Sequence, residues 1–102
     1  MTGQTCARIV ITGLVQGVGF RWRFRQKAML LGLSGWIKNR LDGSVEAVIQ
    51  GSMVSVDEMI RWARIGPAGA KIRGVMLETC DYDITISDFS ILIENPGPAE
   101  TI

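Results

Sequence analysis

The sequence predicts an α+β fold, with two helices on one face of a mostly antiparallel sheet. Three observations lead there. Segments of strand character and two stretches of helical period follow one another in the order β-α-β-β-α-β-β. The chain has 102 residues, enough for one hydrophobic core and too few for two. No internal repeat or low-complexity stretch divides it. Elements in this order close most simply as a two-layer sandwich of the split β-α-β kind. One domain is expected over residues 1–94, with a flexible tail at 95–102 beginning in Asn95-Pro96-Gly97-Pro98.

Each element has a local reason. From Thr5 to Leu14, Ala7, Ile9 and Ile11 alternate with Arg8, Val10 and Thr12, so this reads as the first strand. A glycine-punctuated loop, Val15 to Gly19, follows. At Phe20 the period changes: Phe20, Phe24, Ala28 and Leu31 share a helical face, and Gly32 supplies a stop. Gly35 to Arg40 is short and extended, Asp42-Gly43 is a hairpin signal, and Val45, Ala47 and Ile49 alternate on the return strand up to Gly51. Ser55-Val56-Asp57-Glu58 reads as a capping box opening the second helix. Val56, Met59, Ile60 and Ala63 form its inward stripe, and Gly66-Pro67 closes it. Lys71 to Thr79 is the fourth strand. Asp88 to Glu94 is the fifth, with Phe89, Ile91 and Ile93 on one face.

Composition narrows the chemistry. The formal charge is +1, but it is unevenly spread. Residues 1–41 hold seven basic side chains and no acid. Residues 42–102 hold four basic and ten acidic ones. There is no histidine, which removes the commonest general base and metal ligand. Two cysteines cannot form a Cys-only structural zinc site. No apolar run approaches the roughly 20 residues that span a bilayer. The start, MTGQTCARIV, lacks the pattern of a signal peptide, so a cytoplasmic setting is expected. Cys6 and Cys80 are then expected to be free thiols, unless the fold sets them side by side.

The chemistry lies between the first strand and the first helix, in Gly13-Leu14-Val15-Gln16-Gly17-Val18-Gly19-Phe20-Arg21. Glycines let the backbone turn sharply and let a ligand approach the amides. Successive N–H groups there form a concave anion nest, and the helix adds its own free N–H groups. An arginine at the helix start completes the clamp, because its planar fork can bond two phosphate oxygens. The helix opens with Arg21, Arg23, Arg25 and Lys27 and no acid. Cations at a helix N-terminus are locally unfavourable, and a bound anion offsets that conflict. A solvated basic face beside a tight turn is the plain alternative. The loop lacks the Gly-Lys-Ser/Thr ending of a P-loop and the third spaced glycine of a dinucleotide fingerprint. Asn39 closes a strand just before the hairpin and projects opposite to Lys38 and Arg40. Read alone it is a turn former, or a carboxamide that holds a water.

At these two segments the chain resembles the acylphosphatases. The first motif appears as GLVQGVGFRW (13–22) and the second as GLSGWIKNRLDGSVE (32–46). Arg64-Ile65-Gly66-Pro67, Ala70-Lys71-Ile72 and Asp88-Phe89-Ser90-Ile91 keep the same register. A similar module heads larger carbamoyl-transferring maturation proteins of hydrogenases. The run from Phe20-Arg21 into Trp22 looks like the stand-alone enzyme. The resemblance implies a ferredoxin-like sandwich, a βαββαβ core plus a fifth strand. It implies hydrolysis of acyl phosphates to carboxylate and inorganic phosphate by metal-independent water attack, with no cofactor. Arg21 is then the phosphate-binding arginine and Asn39 the water-positioning asparagine. The amides of Val15, Gln16, Gly17, Val18, Gly19 and Phe20 would cradle the phosphate, and inorganic phosphate or sulfate could occupy the same loop. In such a sheet the first and fourth strands are antiparallel neighbours, which could bring Cys6 near Cys80.

Arg23 stands where similar sequences often carry a second aromatic, with Phe24 one place later. A monomer acting on a small molecule is expected, with no nucleic-acid or membrane partner. Two other readings compete: a catalytically weak anion-binding or regulatory module on the same scaffold, and an RNA-binding ferredoxin-like domain suggested by the basic N-terminal part and Trp22. The second is weakened because the central strands carry no pattern of stacking aromatics.

Overall fold

Residues 3–93 are described by a computed structural model. The element order is β1 (Gln4–Leu14), α1 (Phe20–Leu30), β2 (Ser34–Asn39), β3 (Val45–Ser52), α2 (Met53–Ile65), β4 (Lys71–Thr79) and β5 (Phe89–Ile91). The five strands form one sheet in the order β4-β1-β3-β2-β5. All pairings are antiparallel except β2 with β5, which is parallel. Both helices pack against this sheet, giving the expected two layers.

The core lies between helices and sheet because alternation sends one side of each strand inward. Ile9 and Ile11 of β1, Ile37 of β2 and Val45, Ala47 and Ile49 of β3 are fully buried. From α1 come Phe20, Phe24 and Ala28, and from α2 come Val56, Met59 and Ala63. Phe24 sits at the centre, its ring 6.0 Å from Phe20, 5.9 Å from Trp62 and 5.8 Å from Phe89. Arg23 is exposed, so its presence leaves the Phe20-Phe24-Ala28 stripe intact. On the open face, Arg8 bridges three strands, with Nε 2.6 Å from Glu46 and Nη1 2.5 Å from Glu78.

Three expectations are corrected. α2 begins a turn earlier than Ser55: Ser52 is the N-cap, and its Oγ accepts from the amide of Ser55 at 3.2 Å. β5 pairs only over Phe89–Ile91, and Ile93 is 90% exposed rather than part of an inward face. Cys6 and Cys80 are not free thiols. They form a disulfide, because the β1–β4 pairing ends where the two Cα atoms lie 5.1 Å apart. Glu94 and the expected tail at 95–102 lie outside the described residues.

One glycine sets the β2–β3 contact. Gly35 has φ 142° and lies opposite Ile49, and a Cβ there would run into the carbonyl of Val48. Backbone cannot yield as a flexible side chain can. Gly35→Ala is therefore expected to destabilise the fold by at least about 1–3 kcal/mol, read as a lower urea midpoint.

Candidate active site

The loop between β1 and α1 is shaped by two glycines. Gly17 and Gly19 both have φ 76°, the left-handed region that other residues avoid. A Cβ at either would meet nothing within 4 Å, so conformation and not crowding demands glycine, and the space beside these amides is open. Gly19 is the N-cap of α1, no side chain caps the helix, and its first turn holds no acid. The start of α1 thus presents N–H groups and the positive end of the dipole without an internal counter-charge.

Arg21 follows in the first turn. Among the described residues it makes no ion pair, whereas Arg8, Lys38, Arg40 and Arg25 are each held by a partner. Arg8 is held by Glu46 and Glu78, which raise its pKa through side-chain hydrogen bonds. Lys38 Nζ is 3.9 Å from Glu46, and Arg40 is 3.8 Å from Asp42. Arg25 Nε donates to the carbonyl of Phe89 at 2.8 Å. The basic excess of the N-terminal part is therefore largely neutralised on the open face and left free at the helix start.

A pocket of about 170 Å³ opens here, lined by Val15, Gly17, Gly19, Phe20, Arg21, Trp22, Asn39 and Ile91. Arg21 and Asn39, 18 positions apart in sequence, thus share one cavity. Asn39 ends β2 and pairs with Val45 in register, which turns it to the helix side of the sheet. It is only 8% exposed, and its Oδ1 has no hydrogen-bond partner among the described residues. A buried carboxamide oxygen without a partner is costly, about 1–3 kcal/mol, and marks a place prepared for a donor. Of the other loop residues, Gln16 and Val18 do not line the cavity. Val18 packs on the core.

Two contributors were not singled out from the sequence. Trp22 and Ile91 form apolar walls. Trp22 was read as the end of the first motif and as a feature of the RNA-binding alternative, not as a wall of this site. Ile91 enters because β5 joins β2 in parallel, opposite Ile37, a non-local pairing that local patterns do not show.

The hairpin after Asn39 is held by Asp42, whose Oδ1 accepts from the amide of Ser44 at 2.9 Å and from its hydroxyl at 2.5 Å. These bonds, with smaller help from Arg40, hold the Asp42 carboxyl below its ordinary value of 3.8. A lowered carboxylate contributes stability that is complete above the unfolded pKa and lost as pH falls through the lower folded one. The hairpin is therefore expected to keep its shape at neutral pH and loosen only below about pH 4. Melting curves at pH 7 and pH 3 should differ less for Asp42→Ala than for the parent chain.

Comparison with known proteins agrees with this geometry. The sequence model of a family described as Acylphosphatase matches residues 7–91. A protein named Acylphosphatase from Albidiferax ferrireducens is 54% identical over 74% of this chain and 83% of its own length. Another, from Pelotomaculum thermopropionicum, is 44% identical over 83% of this chain and 92% of its own. Among solved structures, an acylphosphatase from Coxiella burnetii superposes with a TM-score of 0.79 at 38% identity, covering 87% of this chain and 93% of that one.

Proposed function

Because the chain belongs to the acylphosphatase family and is an acid-anhydride hydrolase acting on acyl phosphates, we propose which of its residues carry the reaction and how. Arg21 binds the phosphoryl group through its guanidinium fork. The amides from Val15 to Phe20 surround the remaining oxygens. Asn39 holds the attacking water through its carboxamide. The observation that carries this assignment is the pocket shared by Arg21 and Asn39: among the described residues, the buried Oδ1 of Asn39 has no hydrogen-bond partner and Arg21 makes no ion pair.

The chemistry fits these groups. Water attacks phosphorus, the P–O bond to the acyl group breaks, and the electron pair leaves on the carboxylate. One water proton passes to a phosphoryl oxygen, giving carboxylate and dihydrogen phosphate. The leaving group's conjugate acid has a pKa near 4, so it departs without a general acid. Positioning and charge stabilisation then carry the rate enhancement, and a chain without histidine suffices. The proposal includes a metal-independent route and a monomer.

The test is hydrolysis of acetyl phosphate with and without a chelator, with inorganic phosphate as inhibitor. Turnover indifferent to chelator and competitive inhibition by phosphate are expected. Activity lost to the chelator would overturn the metal-independent route. Phosphate retained without turnover would favour the anion-binding module.

A further inference from the structure

The side chain of Gln16 lies outside the pocket, yet it makes a double contact that the phosphate-loop reading does not use. Its Nε2 donates to the carbonyl of Arg40 at 2.7 Å and to the carbonyl of Ser44 at 2.9 Å. Arg40 directly follows Asn39. Ser44 directly precedes Val45, the register partner of Asn39. One amide group thus uses both of its hydrogens on the two sides of the hairpin turn, immediately beyond the Asn39–Val45 pair. The turn is closed from within by Arg40 N–H to the Ser44 carbonyl at 2.8 Å and by the Asp42–Ser44 bonds. It is therefore braced internally as a small closed unit. Among the described residues, the two Gln16 bonds are the only side-chain hydrogen bonds joining the Val15–Gly19 loop to that unit.

We infer that Gln16 is a positioning residue, setting the distance between the anion loop with Arg21 and the carboxamide of Asn39. The inference rests on the assignment of Asn39 as the water-holding group and adds what keeps it in register with the phosphate. The physical reason is the tolerance of an in-line displacement: a shift of about 1 Å between nucleophile and electrophile can cost about a hundredfold in rate. β2 and the loop are joined through β3 and β1, and no pairing runs directly between them. Ladder hydrogen bonds fix their registers, but the tips of the loop and the hairpin project beyond the last pairs. Gln16 spans the gap there. A side chain acting this way should influence the rate step and leave phosphate binding nearly unchanged, because the amides and Arg21 stay in place.

The test is a cycle of variants assayed with acetyl phosphate, with inorganic phosphate as competitive inhibitor. Gln16→Met keeps the length and removes both donors. It is expected to lower kcat about tenfold or more while KM and the phosphate inhibition constant stay within about twofold. In an Asn39→Ala background the same substitution is expected to change kcat less than about twofold, because the group it positions is gone. Equal fractional losses in both backgrounds, or a phosphate inhibition constant rising in step with the lost rate, would overturn the inference. Gln16→Glu supplies an isostere without the donors at neutral pH, and full kcat in this variant would also overturn it. An Asn39→Ala enzyme with unchanged kcat sinks the assignment of Asn39 instead, which separates the two failures.

Discussion

Arg21→Ala is expected to lower kcat/KM for a small acyl phosphate by about 10³ or more, a loss of about 4 kcal/mol of transition-state stabilisation. The guanidinium makes no ion pair among the described residues, so its charge is uncommitted until a phosphoryl group arrives. Both binding and rate should fall, since the fork bonds the oxygens of the ground state and the charge that develops on them. Inhibition by inorganic phosphate should weaken in parallel. Arg21→Lys keeps one charge and loses the planar pair of donors, and should recover only part of the activity. The melting temperature should change little, because no internal partner is orphaned. A melting temperature that falls with the activity would identify Arg21 as structural.

Asn39→Ala carries the second large effect and a different signature. About 10² in kcat is expected to go, with phosphate inhibition nearly unchanged, because the loop and Arg21 still hold the anion. Stability should not fall in step. The Oδ1 of Asn39 is buried without a partner, and its removal relieves a desolvation cost of about 1–3 kcal/mol that opposes the loss of packing. This separates the catalytic reading from that of a turn former, whose loss would open the hairpin and lower the melting temperature. Kinetics and thermal melting on one preparation decide between them.

What could be read in advance follows the range of the interaction concerned. Period-two alternation marked β1 and β3 because their inner faces are uniformly aliphatic, and the Phe20-Phe24-Ala28 stripe marked α1. The start of α2 was misplaced because Met53 and Val54, at 59% and 77% exposure, are apolar residues on the outer side of the first turn. They break the inward pattern, so the period seems to begin at Val56. β5 was drawn too long because the alternation Phe89, Ile91, Ile93 continues in sequence after pairing with β2 has ended at Ile91. At the site, Arg21 and Asn39 were singled out because each sits in a motif that resembles the family's, and the fold brings both to one cavity. Gln16 was read for its amide alone, since its side-chain partners are 24 and 28 residues away. The disulfide was only the minority reading for a related reason. Redox compartment argued for thiols, whereas a strand register 74 residues apart sets the two sulfurs together.

That disulfide closes residues 6–80 of the polypeptide into a ring. A crosslink over 74 residues removes conformational freedom from the denatured chain worth about 4–5 kcal/mol in the loop-entropy picture. Of the pocket-lining residues, Val15, Gly17, Gly19, Phe20, Arg21, Trp22 and Asn39 lie within the ring, and Ile91 alone lies outside it. A protease that cuts once between Cys6 and Cys80 therefore releases no fragment. It turns a circle into a line whose two halves stay covalently joined, still holding the loop and the hairpin on one molecule. Such a nicked protein runs as one band on a gel without reductant and as two with it.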